Sequence, residues 1–141
     1  MKNKILIIGG NGYIGSRLKK EIKADIVDTN WFRYGKKCVD FKDLTESDYS
    51  KYNTIILLAG HSSVKMSEGD LNSCFNNNVR NFVDLLGKLD KQKLIYASSS
   101  SVYGSVGGKT VNEKYFGFEP YNQYDISKHV ADLYAQKSDV E

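Results

Sequence analysis

A chain of 141 residues with a formal charge of +3 has the length for one domain and one buried core, and too mild a charge to imply nucleic acid. Its lysines are scattered rather than clustered, and no apolar run reaches membrane-spanning length. The N-terminus reads as a strand rather than a signal peptide.

That first strand is Ile5 to Ile8, an apolar run of the kind buried on both faces of a sheet. It runs straight into Gly9-Gly10-Asn11-Gly12-Tyr13-Ile14-Gly15. Gly9 permits a sharp exit from the strand, Gly12 lets the backbone approach a bulky anion, and Gly15 lets the next helix lie close to the sheet. The amino end of that helix then faces a pyrophosphate. In a chain with twelve glycines the spacing alone is weak, and a plain structural turn is the alternative. The strand before it and the helix after it favour a dinucleotide-binding turn. Ile14, Leu18 and Ile22 recur four apart and give the helix an apolar face.

A second short strand, Asp25 to Asp28, ends in an acid that suits the two ribose hydroxyls of adenosine and would repel a 2′-phosphate. NAD is therefore expected rather than NADP, although Arg33 nearby reopens the phosphate question. A surface turn residue is the plainer reading of Asp28. Residues 29–35 form a loop with Trp31, Phe32 and Tyr34, and a third strand is expected over about 36–40. Cys38 and Cys74 fit no metal spacing and no disulfide framework, so reduced thiols in a cytoplasmic protein are expected. Thr45 suits the cap of a short helix within 43–51. Residues 54–59 make a fourth, fully apolar strand.

Leu71, Phe75, Val79, Phe82, Leu86 and Leu89 are spaced for one long amphipathic helix. A fifth strand spans Lys93 to Ala97, followed by a serine- and glycine-rich loop through Pro120. A last helix starts at about 122, with Ile126, Val130, Leu133 and Tyr134 as its apolar stripe. This alternation predicts a doubly wound parallel α/β sheet of about five strands in the order 3-2-1-4-5, with ligands at the carboxyl ends of the strands.

Tyr124 and Lys128 stand four apart at the start of the last helix, hence on one face. In a chain with ten tyrosines and many lysines, such a pair also arises by accident. Its place after Ser98 to Ser101 and Val102-Tyr103-Gly104 gives it meaning. A free phenol has a pKa of about 10, so a tyrosine base at neutral pH needs a shift of about three units, worth about 4 kcal/mol. A nearby ammonium and a cationic oxidised nicotinamide both favour phenolate. Such a base can take a substrate hydroxyl proton as hydride leaves the same carbon, while a serine hydroxyl holds the reacting oxygen. The plainer readings are a polar strand exit for the serines, an interfacial aromatic for Tyr124 and a solvated charge for Lys128.

Taken in order, the glycine turn, Asp28, Asp40-Phe41, Leu58-Ala59-Gly60, Asn78-Val79, the serine run with Val102-Tyr103-Gly104, and Tyr124 to Lys128 resemble one family. It is the extended short-chain dehydrogenase/reductases, the nucleotide-sugar epimerases and dehydratases, in their Rossmann-like N-terminal part. The resemblance implies Ser99, Tyr124 and Lys128 as catalytic residues, with Tyr124 and Lys128 also at the cofactor. It implies cofactor contacts at Gly9, Gly12, Tyr13, Ile14, Gly15 and Asp28, at Asp40 and Phe41 beside adenine, and at Leu58, Ala59 and Gly60 along the strand end. Asn78 is similar to a family asparagine of mainly structural role. The resemblance further implies a nucleotide-sugar substrate and, as in many relatives, a homodimer through the helices at 71–89 and 122–141.

Two features depart from the family. Asp28 follows Gly15 by only thirteen residues, a compactness also seen in reductases acting on dTDP-sugars. The chain also stops near the end of the Tyr–Lys helix, before the further strands and substrate domain of the family. Residues 1–141 are therefore expected to be a truncated cofactor-binding domain that retains affinity and shows little turnover, with its fifth strand at an open sheet edge. A non-catalytic NAD(P)-binding module, an interaction fragment and an oxidoreductase like the dTDP-sugar reductases are the competing readings.

Overall fold

The computed structural model describes residues 4–29, 39–115 and 117–141. The chain divides into two compact units, one of residues 1–59, 84–97 and 139–141, the other of residues 60–83 and 98–138.

The first unit holds a parallel sheet of β1 (Ile5–Ile8), β2 (Asp25–Val27), β3 (Thr54–Leu57) and β4 (Lys93–Tyr96) in the order β2-β1-β3-β4. Ile8 pairs with Val27 on one side and Leu57 on the other, and Leu57 pairs with Tyr96. These are the first, second, fourth and fifth strands expected from the sequence. Residues 39 and 40 are not strand, and the rest of the expected third strand, with Arg33 and Cys38, lies outside the described residues. The strands stop early: Asp28, Leu58, Ala59 and Ala97 each lie just past a strand end.

The apolar runs pack as their composition demands. Leu6, Ile7, Ile8, Ile55, Ile56 and Leu57 are buried with Phe41, Tyr49, Leu85, Leu86 and Leu89. Tyr49 is wholly enclosed, so its hydroxyl must find a partner, and it donates to the Phe41 carbonyl at 3.0 Å. Burial pushes that phenol well above its ordinary pKa. β4 is different: its residues alternate between exposed and half-buried, and its Leu94 N–H donates to the carbonyl of Glu141 at 2.9 Å.

Helix α1 spans Gly15–Glu21 and α2 spans Glu46–Tyr49. Ile14 sits at the N-cap of α1 and is 59% exposed, so it leaves the apolar face read for that helix. Thr45 precedes α2 as expected. The Asp48 carboxylate accepts from its N–H at 3.0 Å, its hydroxyl at 2.8 Å and the Lys51 ammonium at 2.9 Å. The Lys51 ammonium, then the Thr45 groups, hold the Asp48 carboxyl far below the usual range. A depressed carboxyl stabilises the fold above its unfolded pKa, and that share is lost as pH falls further. Asp48→Asn should therefore narrow the gap between melting temperatures at pH 7 and at about pH 3.

The second unit is helical, built from α3 (Val64–Glu68), α4 (Leu71–Phe75), a π-turn at Asn76–Arg80 and α6 (Gln123–Lys137). Helix α5 (Asn81–Lys88) continues the long helix from the π-turn. The sequence period foresaw that helix but not its π-turn, which adds a residue to one turn and shifts the phase of what precedes it. Thus Val79 and Phe82 are buried, whereas Leu71 and Phe75 are 53% and 57% exposed. Helix α6 also turns its stripe outward. Tyr124, Asp125, Ser127 and Ala131 face the interior, and Ile126, Leu133 and Tyr134 are exposed. No helix among the described residues is long and apolar enough to cross a membrane.

Candidate functional site

In the first unit the glycine turn leaves β1 through Gly9, which has φ +87° and donates its N–H to the Val27 carbonyl at 2.8 Å. A Cβ at Gly9 would lie 2.7 Å from the Ala59 nitrogen, which also fixes how closely residues 58 and 59 pass. Gly15 is buried, and a Cβ there would overlap the Gly9 carbonyl oxygen and press on the Gly10 backbone. Gly12 is the contrast. It is exposed, and the nearest atom to a Cβ there is the Gly9 oxygen at 3.3 Å, so its outer side is open.

Asp28 closes the turn. Its Oδ2 accepts the Asn11 N–H at 2.8 Å, and Asn11 Oδ1 accepts from Lys19 Nζ at 3.1 Å. Sequence reasoning named Asp28 but missed Asn11 and Lys19, whose roles depend on a turn that brings residues 11 and 28 together. Tyr13 is exposed, with the Arg17 guanidinium 4.5 Å above its ring. Leu58 follows β3, and its N–H donates to the Ile8 carbonyl at 2.8 Å. Gly9, Gly12, Asp28, Leu58 and Ala59 thus gather at the carboxyl ends of the strands.

Asp40 and Phe41 serve local structure. Asp40 caps a 3₁₀ turn over Phe41–Asp43 and accepts the Lys42 N–H at 3.1 Å. The Phe41 ring is in the core.

In the second unit, Asn122 caps α6 by accepting the Asp125 N–H at 3.0 Å, and Asp125 accepts the Tyr121 N–H at 3.0 Å. This reciprocal cap fixes the first turn, which carries Tyr124, with Lys128 one turn later. Tyr124 is 7% exposed and Lys128 is half-buried. Burial lowers the Lys128 pKa from its ordinary value, with Asp132 and Cys74 partly countering it. Ser99 caps a second 3₁₀ turn, Ser100–Tyr103, and its hydroxyl oxygen accepts the Ser101 N–H at 3.2 Å. That turn packs against α6, and Ser98 Oγ donates to Asp132 on the helix at 2.7 Å. Ser101 Oγ is buried without a hydrogen-bond partner. Gly60 belongs to the second unit, has φ +132°, and a Cβ there would lie 2.8 Å from Asn78 Oδ1.

The turn that Ser99 caps thus packs against the helix that carries Tyr124 and, one turn later, Lys128. The glycine turn is an open cradle beside a carboxylate. Residues 5–141 match the NAD dependent epimerase/dehydratase family. The chain belongs to that family.

Solved structures of epimerases and dehydratases share the fold. MoeE5 in complex with UDP-glucose and NAD is 26% identical with a TM-score of 0.81, covering 94% of this chain and 48% of its own. The UDP-N-acetylglucosamine 4-epimerase of Methanobrevibacter ruminantium M1, in complex with UDP-N-acetylmuramic acid, is 24% identical with a TM-score of 0.81. It covers 96% of this chain and 50% of its own. The NAD-dependent NDP-hexosamine 5,6-dehydratase TunA, involved in tunicamycin biosynthesis, is 23% identical with the same TM-score, covering 99% and 52%. The chain spans about half the length of these solved relatives.

Proposed function

We propose that this family member is the cofactor-binding portion of an NAD-dependent nucleotide-sugar epimerase or dehydratase. The observation that carries the reading is the family match over residues 5–141, which takes in both the glycine turn and the Tyr–Lys pair. Gly9, Gly12 and Gly15, with the backbone at Tyr13 and Ile14, would hold the diphosphate, and the open side of Gly12 fits that group. Asp28 would accept the adenosine ribose hydroxyls, and Leu58 and Ala59 would line the strand end; the family resemblance would also bring Asp40, Phe41 and Gly60 to the cofactor, although Asp40 caps a turn and the Phe41 ring is in the core. When bound, NAD supplies the hydride acceptor. Lys128 would hold Tyr124 as phenolate and bind the nicotinamide ribose, the phenolate would take the proton from the sugar hydroxyl and become the phenol, and the Ser99 hydroxyl would donate to the reacting oxygen. Both epimerisation and dehydration begin with this proton and hydride removal, so the proposal covers the shared first step.

Calorimetric titration of the 141-residue chain tests the cofactor part. NAD is expected to bind at least about tenfold more tightly than NADP, because the Asp28 carboxylate repels a 2′-phosphate. Failure to take up NAD overturns the reading.

The exposed apolar faces favour a homodimer. Leu71, Phe75 and Ile126 surround a cleft of about 290 Å³ lined also by Cys74, Val79 and Val130. Leu133 and Tyr134 extend the apolar strip along α6. A second copy pairing helix to helix would bury them. Sedimentation equilibrium is expected to give a dimer that dissociates in the Phe75→Glu variant; a monomer at high micromolar concentration removes the proposal.

A further inference from the structure

The π-turn carries a buried side-chain relay that reaches the first turn of α6. Asn78 Oδ1 accepts the His61 N–H at 2.8 Å, and Asn78 Nδ2 donates to the His61 carbonyl at 3.2 Å. The second Nδ2 hydrogen goes to Ser127 Oγ at 3.0 Å, and the Ser127 hydroxyl donates onward to the Tyr124 carbonyl at 2.8 Å. Asn78 and Ser127 are both buried, so each of these bonds is costly to leave unmade.

The direction of the relay is fixed. With its oxygen committed to the His61 N–H, the Asn78 amide can only donate to Ser127, which leaves the serine hydrogen for Tyr124. A serine that bonds back to the carbonyl three residues earlier competes with the helix ladder and adjusts the local helix axis. Here the adjusted carbonyl belongs to Tyr124, and the next residue after the serine is Lys128. Ordinary serines in helices make such bonds in either of two directions and change partners. This one is held by a buried amide from another helix.

We propose that Ser127 is a positioning residue: its hydroxyl, oriented by Asn78, sets the turn of helix that holds Tyr124 and Lys128 in register. The role rests on the proton-transfer reading of that pair, but the geometry of the turn does not depend on it. Removing the hydroxyl frees the Tyr124 carbonyl, leaves an Asn78 hydrogen unmatched in the interior and draws water toward the half-buried lysine. Asp132 and Cys74 also act on Lys128, and Cys74 Sγ donates to Ser127 Oγ at 3.7 Å, so the substitution removes that contact as well.

The test is a titration of Lys128 in the 141-residue chain, with lysines labelled by ¹³C reductive methylation and the signal assigned through Lys128→Arg. In the unsubstituted chain Lys128 is expected to titrate below the other lysines. In Ser127→Ala it should move upward, toward the ordinary lysine value, while circular dichroism remains native. Ser127→Thr, which keeps the hydroxyl, should restore the original titration. An unmoved Lys128 in a folded Ser127→Ala protein overturns the proposal. Should that variant not fold, Ser127→Cys keeps the volume with a weaker donor, and an unmoved Lys128 there overturns the proposal equally. NAD titration of the unsubstituted chain separates the two ideas. A chain that binds no NAD yet shows the Lys128 shift refutes the functional reading and leaves the positioning role standing.

Discussion

Tyr124→Phe is expected to lower turnover of a nucleotide sugar by about a thousandfold while NAD affinity stays within about twofold. The measurement belongs in a chain extended to the length of the solved relatives, where a substrate half is present. Tyr124 is 7% exposed at the start of α6, so phenylalanine keeps the packing and removes only the oxygen proposed as the base. The loss should fall on kcat, because that oxygen acts as bonds to the substrate carbon change. Turnover that survives the substitution would assign the base elsewhere. A collapse of NAD affinity would make Tyr124 a residue of the fold. An unsubstituted chain that binds NAD but never turns over would support the non-catalytic module instead.

Gly15→Ala should have the largest effect on the fold and on cofactor uptake together. The new methyl would meet backbone: the Gly9 oxygen, Gly10 Cα at 2.7 Å and the Gly10 carbonyl carbon at 2.9 Å. Backbone cannot swing aside as a long side chain can, so α1 must move off the sheet. A destabilisation of about 1–3 kcal/mol is expected, read from urea denaturation. NAD affinity should fall by about a hundredfold or more, because the helix start and the turn move with it. Gly12→Ala is the informative companion. Its methyl meets nothing closer than 3.3 Å, so stability should change little, and a loss of NAD binding there would come from blocking the diphosphate itself. Equal NAD binding in Gly12→Ala and the unsubstituted chain would refute the cradle.

The sequence carried much of the first unit because its signals are local. Four apolar residues ending at a glycine define β1 and its exit, and the acid after β2 falls where the turn needs a partner. Thr45 was legible as a cap for the same reason. What escaped depends on contacts between distant residues. The Asn11–Asp28 bond forms only once β1 and β2 pair. The Ser100–Tyr103 turn looked like loop, since its capping serine is one of four in a row. The stripe on α6 was legible as apolar, and its Ile126, Leu133 and Tyr134 are exposed. Periodicity shows that a face will be covered but not by which molecule. In the second unit the three asparagines at 76–78 were the available sign of trouble inside an apolar period. Buried amides in a helix need partners, and Asn78 finds them through the π-turn.

That turn also has a consequence for how the long helix tolerates change. Each residue of an α-helix advances the azimuth by about 100°, so losing one position within Asn76–Arg80 would swing everything upstream by that angle. Cys74 would rotate toward solvent and Phe75 would sweep to a new heading. The helix is in effect two screws cut to different starts and joined by a one-residue shim, and the two threads answer to separate neighbours.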